Sequence, residues 1–420
     1  MTRAGRLAEL RGSRLLHGSA WVLVGMAAQA ALGFAFWTVG ARVSTAGDVG
    51  RASALFTVAQ FLNYASGLGL TVMLARFAAD PSADADRLMG WSVVAATVTS
   101  AVGVVVFGLV ASDAATTLVR DPASLAAFAV YVAGIAVGLL ADVRLMAARR
   151  WRWLVGRIVV VGLVRLPLVL WNPGVGDDTW LSHLMLAPLA IGGWLSFPML
   201  RLIGEGRLRL GRPAELGAAA RFAGANWFAT LTSAAPQFVL PLIVAANLDD
   251  ERYASFFLGW TVTGMVLLVP GAISQILLLE GSKAEAAGAD HARQAFRSSV
   301  GIAVLAWLGA FAGGRVAAWL LGDGFAELAR LLPALVFAGV PWALTSVRLS
   351  EARIRRDQLG TVVVTAVLGV VTLGLAALWT PRWGVAGASR AWIVGNVTAA
   401  LCAELRHRTR PPSPAPPPAC

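Results

Sequence analysis

About a dozen apolar stretches of membrane-spanning length run through the 420 residues, each closed by a short loop carrying charge, Gly or Pro. A chain that is 57% hydrophobic and 14% charged does not partition as an ordinary soluble domain of this size. In a bilayer no water pairs with backbone N–H and C=O groups, so each stretch must close its own hydrogen bonds as a helix. The ten-residue alternation of an outer-membrane barrel is absent. The pattern therefore predicts an all-α polytopic membrane protein with about twelve transmembrane helices. Their expected spans, to about four residues at each end, are 18–39, 52–74, 88–110, 123–140, 154–171 and 180–202, then 223–245, 256–279, 300–321, 328–345, 361–378 and 385–401.

Positive charge is sorted between alternate loops. Arg3, Arg6, Arg11 and Arg14 precede the first helix, Arg144, Arg149, Arg150 and Arg152 follow the fourth, and Arg201, Arg207, Arg209 and Arg212 follow the sixth. Arg348, Arg353, Arg355 and Arg356 after the tenth and Arg406, Arg408 and Arg410 near the end fall on the same side. Roughly 25 basic residues against about 7 place that side, and with it both termini, in the cytoplasm of a cell inner membrane. The opposite loops carry Asp177 and Asp178, and Asp249, Asp250 and Glu251. The isoelectric point near 11.3 is thus topogenic rather than a nucleic-acid footprint, and anionic membrane lipid is the partner those loops suit. The first apolar stretch is too long for a signal-peptide core and has no convincing cleavage site, so it is expected to stay as an anchor. Cys402 and Cys420 both fall on the cytoplasmic side, so no disulfide is expected, and the segment 406–420 with its PPSPAPPPAC end reads as a disordered tail.

An internal repeat underlies the rhythm. Trp171, Pro173 and Gly176 after the fifth helix and Trp379, Pro381 and Gly384 after the eleventh both spell W-x-P-x-x-G. Gly18 and Trp21 open the first helix as Gly224 and Trp227 open the seventh, and Asp48, Ala52, Ser53 and Gly69 align with Asp250, Ala254, Ser255 and Gly271. Six helices return the chain to its starting side, so the two copies are parallel repeats, 1–204 and 221–405, joined by a cytoplasmic linker at 205–220. Two parallel six-helix lobes around a central cavity make a transporter architecture that works by alternating access.

A cavity wall should be polar along one helix face. Asn226, Thr230, Ser233 and Gln237 form such a stripe on the seventh helix, and Thr57, Gln60, Tyr64 and Thr71 form one on the second, although hydrogen-bond glue between helices produces the same pattern. Arg165 lies about three turns into the fifth helix, where an arginine costs on the order of 2.5–3.5 kcal/mol on insertion scales and should meet an anion or water. Arg157, eight residues earlier and about 80° around the helix, lies nearer the cytoplasmic end, where snorkelling is the bland alternative. The repeat sets Leu373 against Arg165 and Thr365 against Arg157, so neither charge belongs to the duplicated scaffold. Arg390 in the last helix is the third candidate. A guanidinium donates two parallel hydrogen bonds to phosphate oxygens, which points to an anionic, phosphate-bearing substrate.

Trp21 to Leu23, the loop ARVSTAGDVGRAS at Ala41 to Ser53, GLGLTVMLAR at Gly67 to Arg76 and GVAGASRAW at Gly384 to Trp392 together resemble the Wzx-type polysaccharide flippases. These belong to the multidrug/oligosaccharidyl-lipid/polysaccharide exporter superfamily. The resemblance implies translocation of a polyprenyl-diphosphate-linked oligosaccharide from the inner to the outer leaflet for cell-surface polysaccharide biosynthesis, with the diphosphate in a cationic cavity. Polysaccharide-assembly enzymes are the protein partners it implies. Multidrug antiporters of the superfamily carry an acidic residue in the first helix, and the lipid-precursor flippases carry charges there; residues 18–39 have none.

The alternative within the superfamily is a cation-coupled exporter of drugs or small molecules. The alternative outside it is an integral-membrane glycosyltransferase using Asp177 and Asp178 or Asp249 and Asp250, which loops of about ten residues leave little room to build. No metal-ligand spacing, phosphate-cradling glycine loop or nucleophile triad is present, so no cofactor, no metal and no enzymatic activity are expected.

Overall fold

The computed structural model describes residues 3–67, 69–77, 84–110, 121–171, 179–206, 208–281, 288–355 and 357–409. Among them the regular structure is helical, with no strand. The chain divides into two compact units, Met1–Leu231 and Thr232–Cys420, so the division falls within a helix, downstream of the 205–220 linker.

The first unit holds α1 (Arg3–Val43), α2 (Ala46–Ser66), α3 (Leu70–Phe77), α4 (Ala85–Val110), α5 (Pro122–Ala147), α6 (Trp151–Leu170), α7 (Trp180–Trp194) and α8 (Ser196–Leu202), then the start of α9 (Leu216–Asn247). The second unit continues with α10 (Asp250–Gly281), α11 (Gly288–Leu321), α12 (Leu328–Phe337), α13 (Gly339–Ile354) and α14 (Gln358–Thr409). Among the described residues nine helices are long and apolar enough to cross a membrane, and the bent pair α2 and α3 acts as a tenth. One of the nine, Leu359–Thr409, is 51 residues long, or about 77 Å if straight, more than twice a hydrocarbon core of about 30 Å. Gly384, at φ 58° and ψ −138°, breaks it into limbs 358–383 and 385–409. With the limbs counted apart and α9 included, every one of the twelve expected stretches has its helix. The chain is a multi-pass, all-α membrane protein.

Breaks occur where the sequence permits them. α2 and α3 meet at a 52° bend in which Gly69 takes φ 69°, a conformation open to glycine. The bend strands carbonyls that a continuous helix would satisfy. The Trp227 indole donates to the Ala65 carbonyl at 2.7 Å and the Thr99 hydroxyl to that of Ser66 at 2.8 Å. A Cβ on Gly69 would collide with the backbone of Ala223 and Trp227, so the glycine also sets the approach of α9. The limbs of α14 fold back on one another: a side chain at Gly387 would run into the Trp379 carbonyl, and one at Gly395 into Thr372. The W-x-P-x-x-G element of the second copy is therefore the turn of a tight helical hairpin. In the first copy Trp171 caps α6, and 172–178 lie outside the described residues.

Aspartates serve the starts of α2 and α10, at α10 through Asp249, the neighbour of the aligned Asp250. Thr45 and Asp48 form a reciprocal capping box at α2, with Thr45 N–H donating to Asp48 at 3.0 Å and Asp48 N–H to Thr45 Oγ1 at 3.1 Å. At α10 the Asp249 carboxylate accepts from Arg252 N–H at 2.9 Å. Packing neighbours recur as well: α4 against α2 and α5 in one unit, α11 against α10 and α12 in the other. At the far end α14 runs to Thr409, four residues into the stretch read as tail. Its last turn is basic, and Arg408 donates to Glu404 at 2.8 Å one turn back. The rest of the tail and Cys420 lie outside the described residues.

Candidate functional site

The candidate site of the first unit is built on α6, which packs against α1, α5 and α7. Gly162 brings α1 close, since a Cβ there would overlap Leu32 at 2.6 Å. One turn on, Arg165 is 4% exposed. Its Nη1 donates to the Met185 sulfur of α7 at 3.2 Å, and its guanidinium carbon lies 5.6 Å from the centre of the Phe36 ring of α1. Its Nε is buried without a hydrogen-bond partner. Among the described residues no carboxylate pairs with it. A sulfur and a ring face are weak partners for a desolvated cation, so Arg165 is held where an anion would be strongly favoured.

Arg157 is placed differently. Its Nε donates to Asp142 Oδ1 of α5 at 2.9 Å and its Nη2 to Asp142 Oδ2, a two-point ion pair. α5 extends two turns beyond the expected end at Leu140, which is what brings the carboxylate into the bundle. The apolar run stops at Ala141, so a reading by hydropathy ends the helix there, whereas the backbone continues to Ala147. Gly134 and Gly138 on α5 meet Gly193 on α7 so closely that a side chain at Gly193 would strike the Gly134 carbonyl. The Arg157 Nη1 sits in the notch this leaves, 3.2 Å from where a Gly138 Cβ would be.

Two more features escaped the sequence. Tyr131 and His183 share a hydrogen bond of 2.9 Å between α5 and α7, with rings at 78°. The one signal in the sequence was the rarity of a histidine inside an apolar span. At the basic end Arg144 donates to the Glu205 carbonyl at 2.7 Å and faces Asp86 at 3.5 Å, while Arg150 and Glu205 pair at 2.5 Å.

The stripe on the second helix is divided. Thr57 is buried and turns its hydroxyl onto the Ser53 carbonyl at 2.8 Å, Gln60 is half-buried, Tyr64 is exposed, and Thr71 lies past the bend on α3. Gln60 and Tyr64, one turn apart, are the part of it that presents polar groups outward. On α9 Gln237 is exposed, and the side chains of Asn226, Thr230 and Ser233 lie outside the described residues. In the second unit Arg390 is exposed on the second limb of α14, its guanidinium carbon 5.5 Å from the Trp383 ring centre. The structure thus brings Arg157 and Arg165 onto one helix, and Gln60 and Tyr64 onto another of the same unit. Among the described residues no group of three metal-ligating side chains forms.

The fold matches those of solved membrane transporters. The lipid II flippase MurJ, in an inward closed conformation, aligns with a TM-score of 0.74 at 9% identity, over 93% of this chain and 88% of its own. An inward-facing multidrug resistance MATE family transporter of the MOP superfamily aligns with a TM-score of 0.65 at 14% identity, over 90% and 93%. A MOP superfamily transporter from Pyrococcus furiosus Vc1 (DSM3638), whose binding pocket of reversed polarity suggests a different function, aligns with a TM-score of 0.59 at 15% identity, over 93% of each chain. No protein-family model and no curated protein matches the sequence. At these identities the likeness is one of fold, and it extends over nearly the whole chain.

Proposed function

We propose that the chain is a membrane transporter that flips a polyprenyl-diphosphate-linked oligosaccharide across the cytoplasmic membrane by alternating access between two six-helix lobes, 1–204 and 221–405. Both termini and the 205–220 linker face the cytoplasm in this reading. The observation that carries it is Arg165, a cation 4% exposed with no carboxylate partner among the described residues, on a helix whose repeat counterpart has leucine. The sequence resemblance to polysaccharide flippases and the fold shared with a solved lipid II flippase support a lipid-linked substrate. In the conformation described Arg165 is closed off by Phe36 and Met185, so the substrate diphosphate reaches it when α1 or α7 moves aside. Arg157, Arg390, Gln60, Tyr64, Gln237, Asn226, Thr230 and Ser233 are the further contacts assigned to the substrate path.

The test is delivery of glycan to the cell surface. Arg165→Ala abolishes it at wild-type protein level, and Arg165→Lys restores part, because a point charge loses the planar two-point geometry. Normal delivery by Arg165→Ala at wild-type level removes the basis of the reading.

A further inference from the structure

We infer that Asp142 is a built-in competitor for Arg157: it holds the guanidinium until a phosphate-bearing anion takes its place, and the displaced carboxylate then carries a proton. The inference rests on the anionic-substrate reading above and assigns Asp142, which that reading does not use.

The geometry is that of an occupied anion site. Asp142 takes the Nε and Nη2 edge of Arg157, the same two-point edge that a phosphate would take. The other nitrogen, Nη1, donates to no described residue and fills the notch at Gly138, 3.2 Å from where a Cβ there would be. Both partners of the pair keep a little exposure, 14% for Arg157 and 16% for Asp142. Its surroundings on α5 and α6 are otherwise apolar: Ala141, Val143 and Leu154 are buried in one cluster with Leu140 and Leu145.

Of the other charges near this end of α5, three are engaged elsewhere, and Arg149 and Arg152 are exposed. Arg144 holds Asp86 and the Glu205 carbonyl, Arg150 holds Glu205, and Arg76 of α3 lies over the Phe222 ring at 4.5 Å. Among the described residues Asp142 and Arg157 have only each other. Nor does the repeated scaffold need the pair, since Thr365, opposite Arg157, closes its hydroxyl onto the Thr361 carbonyl at 2.9 Å.

The charges balance in one direction. The resting pair is neutral. When an anion binds Arg157, a bare carboxylate left in apolar surroundings is costly, and one proton from water on a carboxyl oxygen removes that cost. The site exchanges an aspartate for an anion and a proton, so anion and proton bind together. By linkage, anion affinity rises as pH falls, approaching about tenfold per pH unit where the carboxyl is protonated only in the complex.

The experiment uses the full chain in lipid nanodiscs with inorganic pyrophosphate as probe. Binding is followed by calorimetry, and protons by an indicator dye in weak buffer. Wild type binds more tightly at lower pH and takes up about one proton per pyrophosphate beyond the probe's own titration. Asp142→Asn binds at least several-fold more tightly and takes up no extra proton, and Arg157→Gln loses the binding. Wild-type binding without proton uptake overturns the inference, as does Asp142→Asn binding no more tightly; in either case the anion site stands. Failure of pyrophosphate to bind both wild type and Asp142→Asn overturns it too, and leaves the flippase reading to the Arg165 transport test. Proton uptake is read on the wild type itself, so the outcome does not depend on the variants folding.

Discussion

Replacing Arg165 with leucine should make the protein more stable and inactive at once. On insertion scales an arginine at the centre of a span costs about 2.5–3.5 kcal/mol, while leucine contributes about −0.3 to −0.6, a swing of about 3–4 kcal/mol toward leucine. Two terms oppose it in this structure. The guanidinium gains from the Phe36 ring at 5.6 Å, about 0.5–2 kcal/mol for a desolvated cation. The shorter side chain also leaves a gap beside Met185 costing on the order of 1 kcal/mol. The net is a gain of about 0–2.5 kcal/mol. Reversible unfolding in mixed micelles measures it, with transport followed on the same preparation. Pyrophosphate in excess should raise the midpoint of wild type more than that of Arg165→Leu, which keeps only the Arg157 site, because a ligand stabilises only the state that binds it. A loss of 1 kcal/mol or more in the leucine variant refutes the reasoning, since the arginine would then be a packing element whose ring and sulfur contacts outweigh its burial.

Other expectations follow from the same geometry. Gly387→Ala should open the α14 hairpin, since its methyl group meets the Trp379 carbonyl, at about 1–3 kcal/mol, whereas Gly374→Ala, with nothing within 4 Å, should be neutral; the folded fraction after detergent extraction compares them. Glu404→Gln should cost about 1–2 kcal/mol, because Glu404 accepts from Arg348 at 2.9 Å and from Arg408 at 2.8 Å while half-buried; a thermal shift in detergent reads it. For orientation, cysteine placed at Asp178 should react with an impermeant thiol reagent from outside and cysteine at Arg209 should not, and reversed labelling would invert the topology.

The fold was legible because hydropathy in a bilayer is a backbone constraint: where an apolar run reaches about 20 residues the chain has to be helical. Hydropathy is blind to what happens inside a span. Nothing in an apolar average marks the bend at Gly67 to Gly69, which depends on a positive φ and on a tryptophan 162 residues away supplying the stranded carbonyl with a donor. Helix ends were misjudged for a related reason. Asp142 looks like the start of a loop, yet a carboxylate paired with Arg157 lets α5 continue past the end of its apolar run. Sequence set Arg157 and Arg165 apart only by depth, and the same pair shows how much further they differ in structure. Both are arginines on one apolar helix, and the difference lies in whether a neighbouring helix offers an acid at the matching depth, a tertiary fact.

The repeat turns that difference into an argument about purpose. The second unit builds the corresponding span with Thr365 and Leu373, one closing onto its own backbone and the other apolar, and its helices keep comparable neighbours. The second unit's span thus stands without cations at these two positions. In the first unit one cation is buried with a sulfur and a ring for company, and the other is held by a carboxylate that a better anion can displace. Stability alone would have removed the first charge and has no need of the second. The proposed anion, arriving from outside the fold, would account for both, and the leucine variant at 165 tests whether the protein forgoes stability to receive it.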